Sequence, residues 1–174
     1  MPRSCVALAV AASALVLVAC GRIAVPAARE ASFAPPAGAV QALVVRIVDG
    51  DTIVVRLDGR QERVRYIGVN TPESVDPRRP VQCFGKDAAE RNRALVEGQT
   101  VWLEKDVSDA DQYGRLLRYV YTTDGQLVNA TLIDEGYARV VTFPPDVRHV
   151  DRLHALEREA RGAGCGLWGS CPAG

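Results

Sequence analysis

The stretch DGDTIVVRLDGRQERVRYIGVNTPE, residues 49–73, decides the reading of this chain. Apolar residues alternate along and beside it: Leu43, Val45 and Ile47 before the first turn, Ile53 and Val55 after it, Val64, Tyr66 and Gly68 further on. A period of two with β-branched enrichment predicts strands, and the turn signals Asp49-Gly50-Asp51 and Asp58-Gly59 predict tight reversals between them. The stretch therefore reads as a three-stranded antiparallel meander.

The meander carries polar residues that a simple sheet does not require. Asp51 and Thr71 fall near strand ends, Arg65 lies in the third strand, and Asn70-Thr71-Pro72-Glu73 leaves that strand in a turn that proline keeps out of the ladder. Carboxylate, amide and carbonyl oxygens at neighbouring strand ends make a hard-oxygen site, which suits calcium better than a softer metal. For Asp49, Gly50 and Asp58 a turn-forming role is sufficient. For Asp51, Arg65 and Glu73 together the reading is a functional one, because a second arginine-bearing segment follows downstream.

Beyond a charged, proline-containing loop at residues 74–80, Cys83 to Glu97 reads as a helix stopped by Gly98. Thr100 to Lys105 and Leu116 to Tyr121 alternate as a fourth and a fifth strand. Leu127 to Glu135 reads as a second helix, Tyr137 to Val141 as an extended return, and Asp146 as the N-cap of a last helix running to Arg161. Five short strands with a helix after the third predict an α+β protein: a five-stranded Greek-key barrel of the oligonucleotide-binding (OB-fold) type with about three helices. His149 and His154 are five residues apart, a spacing that does not set two ligands on one helix face, so both read as surface or packing residues.

The segments DGDT at 49–52, VRYIGVNTPE at 64–73 and DQYGR at 111–115, in this order, resemble the signature segments of the staphylococcal nuclease (thermonuclease) family. The similarity runs from about Gln41 to Trp168. It implies the same barrel and a calcium-dependent endonuclease that hydrolyses DNA and RNA with little sequence specificity, since phosphate contacts carry affinity but no sequence information. In that reading one calcium ion is held by the Asp51 carboxylate, the side chain of Asn70 and the Thr71 carbonyl, Glu73 is the general base, and Arg65 and Arg115 grip the phosphate. Tyr113 offers a flat ring that either stacks on a base or packs structurally. The departure is Asn70, where the family pattern has an aspartate: one ligand charge is lost, which implies weaker calcium binding or tolerance of another divalent ion. The protein is expected to act as a monomer.

With 48% hydrophobic and 24% charged residues, the chain has the composition of a globular protein and not of a disordered one. Zero net charge excludes a polybasic nucleic-acid coat, so any contact with DNA or RNA rests on a local basic cluster. Residues 1–20 read as a signal peptide, with Arg3 ahead of an apolar run from Val6 to Ala19 too short for a comfortable membrane span. Its end, Leu17-Val18-Ala19-Cys20, resembles a bacterial lipobox and implies lipidation at Cys20, hence a lipoprotein tethered to a membrane of the cell envelope; a plain secretory signal is the alternative. Residues 21–40 are an Ala/Pro-rich linker, and 41–174 the folded domain.

Cys83, Cys165 and Cys171 then remain in the body, enough for one bridge and one cysteine over. Relatives with a cysteine at the helix start imply the pairing Cys83–Cys171, with Cys165–Cys171 as the alternative. Two other functions remain open to the same residues. One is a catalytically silent OB-fold module binding nucleic acid or protein, which would have no chemical need of Glu73. The other is a structural lipoprotein whose acids only form turns, which leaves the DQYGR segment without a role.

Overall fold

Strands β1 (Val40–Asp49), β2 (Thr52–Leu57) and β3 (Arg60–Tyr66) form the antiparallel meander, with β1 pairing β2 and β2 pairing β3. The computed structural model describes residues 33–74 and 81–172; the expected signal peptide, most of the expected linker and the expected lipidation site Cys20 lie outside the described residues. Helix α1 (Gly85–Val96) follows the short strand β4 (Val69–Asn70), and β5 (Thr100–Glu104) and β6 (Leu116–Thr122) complete a closed barrel in the order β1-β2-β3-β6-β5. Closure rests on β1 pairing β5 antiparallel and on β3 pairing β6 parallel. Helix α2 (Val128–Asp134), β7 (Arg139–Val140), α3 (Val150–Ala163) and the single turn α4 (Leu167–Ser170) follow.

Inward-facing Val44, Ile53, Val55, Val64, Val101 and Leu103 are wholly or almost wholly buried and form the barrel core. Each stabilises the fold by about 1.5–3 kcal/mol through burial. Leu132, Ile133 and Leu153 extend this core to α2 and α3.

The inward face of β1 differs from the expected one. Ala42 and Val44 are buried while Leu43 is 39% exposed, yet Ile47 is buried as expected. The cause is an irregularity in the β1–β2 ladder between Val44 and Arg46, which inserts a residue and reverses the phase of alternation. The sheet of β4 and β7 is also additional to the five strands expected, and pairs Asn70 with Arg139.

Asp146 does not cap α3: the residue preceding that helix is His149. The Asp146 carboxylate instead accepts the backbone N–H groups of Val107 and Ser108, at 3.0 and 2.8 Å, and so fastens the loop after β5. The structure forms the Cys83–Cys171 disulfide, not Cys165–Cys171, with an S–S distance of 2.06 Å, and Cys165 is disulfide-bonded as well, so it is not the cysteine left over that the count of three had implied. No helix among the described residues is long and apolar enough to cross a membrane.

Candidate active site

The turn between β1 and β2 delivers Asp51 to the mouth of the barrel, where it is only 4% exposed. Its Oδ2 accepts the Thr71 amide at 2.8 Å and the Thr71 hydroxyl at 3.1 Å, while Oδ1 accepts the Thr52 hydroxyl at 3.1 Å. The sequence folds this way because the turn backbone is itself anchored: Asn92 of α1 donates to the Asp49 carbonyl and accepts the Tyr66 hydroxyl. Gly50 makes the approach possible, since a Cβ there would lie 2.6 Å from Thr71 Cγ2.

Arg65 stands beside this carboxylate, with its Nη1 3.0 Å from Asp51 Oδ2 and donating to the Val69 carbonyl at 2.7 Å. Its Nη2 reaches Asn70 Oδ1 at 3.5 Å. The oxygens of Asp51 and Asn70 thus converge on one cation. Asp49 lies beside them, and burial, with the Asp51 charge second, pushes its carboxyl up to about 7. The donor set of Asp51, Asn70 and the Thr71 carbonyl is all oxygen, which fits a hard divalent cation. Among the described residues no three His, Cys, Asp or Glu side chains are grouped so as to hold a metal ion, and the candidate ligands here contain a single carboxylate.

The parallel pairing of β3 with β6 sets Arg65 opposite Leu117, and Arg115 two residues before Leu117 falls on the same face. Arg65, Leu117 and Arg115 accordingly line one cleft of about 540 Å³. Tyr113 and Phe143, 75% and 70% exposed, line it as well. Arg115 is held by Asp111, whose Oδ2 lies 2.6 Å from its Nε and whose Oδ1 accepts the Arg115 and Tyr113 amides. Burial acts to raise the Asp111 carboxyl; these N–H donors and the guanidinium charge outweigh it and hold it below the usual carboxylate range. The Arg115 guanidinium also lies 5.4 Å from the centre of the Tyr113 ring.

Glu73 does not line this cleft. It stands beyond Pro72, its Oε1 accepting the Ser74 amide at 2.9 Å. Gln82 brackets its backbone, accepting the Glu73 N–H with Oε1 and donating its own N–H to the Glu73 carbonyl. The start of α1 comes equally close, for a Cβ on Gly85 would lie 2.6 Å from the Glu73 carbonyl oxygen. His149 and His154 take no part: His149 packs edge-on against Tyr119 and bonds with Glu104 and Tyr121, and His154 faces Glu157.

Four contributors escaped the sequence reading. Asp111 had a signal, since an aspartate three residues before a glycine marks a side-chain-closed turn. Asn92 had one too, lying with Ala88 and Val96 on the buried stripe of α1 where a polar residue is out of place. Gln82 and Phe143 carried none: Gln82 acts on the backbone of Glu73 across an intervening loop, and Phe143 joins the cleft only through the folded course of the segment after β7.

A closed five-stranded β-barrel carrying helices belongs to the OB-fold class of barrels, and here Arg65 and Arg115 line one cleft at its surface. Residues 63–170 match the family model described as staphylococcal nuclease homologue. The chain is 41% identical over 126 residues to a thermonuclease of Staphylococcus intermedius, covering 72% of this chain and 74% of the relative. It is 43% identical over 125 residues to endonuclease YncB of Bacillus subtilis, covering 71% and 59%. A thermonuclease of Staphylococcus hyicus is 38% identical over 125 residues, covering 72% and 73%. The chain belongs to the staphylococcal nuclease family.

Proposed function

We propose that this protein is a calcium-assisted endonuclease acting on DNA and RNA, with Asp51, Asn70 and Thr71 as metal ligands, Arg65 and Arg115 as phosphate-binding residues and Glu73 as general base. That it is a nuclease, a phosphodiester hydrolase, follows from its family. The finer reading is supported above all by one observation: Asp51 and Asn70 turn their oxygens to the same cationic point, beside a cleft that Arg65 and Arg115 share.

Phosphodiester hydrolysis needs a nucleophilic water, neutralisation of the charge that builds on the non-bridging oxygens, and stabilisation of the leaving alkoxide. Bound calcium would supply Lewis-acid stabilisation of that charge. Arg65 and Arg115 present planar arrays of N–H donors whose hydrogen bonds strengthen as the phosphorus gains its fifth oxygen. Arg115 is already oriented by Asp111, so little side-chain freedom is lost when a phosphate arrives. The Glu73 carboxylate takes a proton from water, and its place is set by the two backbone bonds to Gln82. Tyr113 and Phe143 give stacking faces that accept any base, in keeping with low sequence preference.

The test is hydrolysis of single- and double-stranded DNA and RNA with calcium and with a chelator, beside Glu73→Gln and Arg115→Ala. Cutting that requires the metal and falls on the order of a hundredfold or more in both variants supports the assigned roles. Binding without cutting under any divalent ion would replace the enzyme by a silent binding barrel. The envelope tether through Cys20 is a separate part of the proposal, and mass spectrometry of the mature amino terminus tests it: an unmodified peptide beginning elsewhere removes it.

A further inference from the structure

A second cavity, of about 480 Å³, lies beside the first, and the two share Asn70. Val141 lines the first cleft and Arg139 the second. These residues are two apart along the extended segment containing β7, a step of roughly 6.5 Å, which is comparable to the repeat of an extended polynucleotide strand. Arg139 is the ladder partner of Asn70. Its guanidinium lies 4.7 Å from the centre of the Trp168 ring, and that ring stands at the same distance from Arg161.

Stacking on a ring fixes a guanidinium without using its N–H donors. The contrast with other arginines is direct: Arg91 is held by Glu135, Arg115 by Asp111 and Arg118 by Asp109, whereas Arg139 has no carboxylate partner among the described residues. A guanidinium oriented by an aromatic face, with its donors open toward a cavity, is ready for a planar or tetrahedral oxyanion. The Cys83–Cys171 disulfide forms part of the same cavity's lining.

We propose that this cavity is a second nucleotide subsite, on the side of the scissile phosphate away from Tyr113, in which Arg139 binds the neighbouring phosphate of a single-stranded polynucleotide. The inference rests on the nuclease reading and names where the next unit of that same substrate lies. A strand threaded through both cavities passes Asn70 at the bond to be cut, leaving one nucleoside with Tyr113 and Phe143 and the other between Pro72 and Arg139. Arg139 so placed contributes affinity for longer substrates and touches no reacting atom.

The test measures kcat and KM of the full chain on fluorescent oligodeoxynucleotides of increasing length, together with anisotropy of their binding in the presence of chelator. In the wild-type protein, lengthening the strand past the cut bond lowers KM, and Arg139→Ala removes on the order of tenfold of that gain while leaving kcat on the shortest substrate unchanged. The logarithmic salt dependence of binding becomes shallower by about 0.7, as for one lost phosphate contact to a single strand. Arg139→Lys retains part of the gain. Arg161→Ala removes the other cation from the same ring and leaves the length dependence intact, which separates phosphate binding from support of Trp168.

A folded Arg139→Ala variant with wild-type length and salt dependence in both measurements overturns the inference. If the wild-type protein binds oligonucleotides but cuts none, the nuclease reading fails by itself, and the anisotropy series still decides whether Arg139 holds a phosphate.

Discussion

Two polar clusters in this molecule, one around Asp51 and one around Glu104, use the same kinds of residue to opposite ends. Glu104 is 3% exposed, and both its oxygens are engaged: Oε1 by Arg148 at 2.9 Å, Oε2 by the Tyr121 hydroxyl at 2.8 Å and by His149 at 3.2 Å. Asp106 completes that cluster by accepting the Arg148 amide and facing its guanidinium. Burial, with the backbone bond to His149 acting against it, pushes the Tyr119 phenol up to about 12, so it stays a neutral packing partner. Around Asp51 two aspartates crowd one turn, one arginine serves them, and Asn70 and Thr71 add oxygens and no positive charge. Burial of polar groups therefore does not by itself mark a functional site. What separates the two clusters is position: Arg65 and Asn70 line the cleft, whereas Glu104, Arg148 and His149 do not line it and tie β5 to the segment before α3.

The comparison can be broken or sharpened by substitution. The largest effect is expected for Arg65→Ala, which removes a guanidinium that lines the cleft. Here kcat should fall on the order of 10²–10³-fold, with some loss of stability because Asp51 is left buried without its counter-charge, and retained activity in the folded variant would reverse the assignment of the two clusters. Glu104→Ala should do the opposite. It leaves Arg148, His149 and Tyr121 without their common acceptor and should cost about 2–3 kcal/mol in urea unfolding, less than a fully buried pair because Arg148 is half exposed. Activity of the folded fraction should be retained. The smallest effect concerns Asp146. Burial acts to raise its carboxyl, and the Ser108 and Val107 donors outweigh burial and hold it below the usual range. Its contribution is therefore present above the unfolded value near pH 4 and lost as pH falls through the lower folded value. Asp146→Ala should cost about 1 kcal/mol at pH 7, and the difference from wild type should shrink toward pH 3 in paired urea titrations.

Much of this arrangement is legible in the chain. Turn chemistry and alternation around residues 49–73 lead to a meander, and the later strands and helices lie within a few residues of their expected limits. The closeness of Asp51, Arg65 and Asn70 was legible because they sit in one local hairpin system, where contacts follow from short separations, while their proposed roles came from the family resemblance. Phase along β1 was not legible, since the irregularity between Val44 and Arg46 is a property of pairing with β2 and has no residue signature there. Strands of two residues, β4 and β7, are too short to show any period. The assignment of Asp146 went to the nearest helix because its real partners, Val107 and Ser108, are 38 and 39 residues away.

The sequence by itself determined the barrel class, the antiparallel meander and the family, because alternation, turn residues and ordered short segments are local properties of the chain. Only the tertiary structure decided that Arg65 and Arg115 share a cleft, since that depends on the parallel pairing of β3 with β6 across an intervening helix and two strands. It also decided that Asp111 orients Arg115, that Gln82 carries the backbone of Glu73, and that Arg139 faces a second cavity meeting the first at Asn70. The physical reason is common to all of them. Charge pairing and cavity shape are set by atoms brought together across the fold, and a linear pattern records which groups exist but not which of them meet.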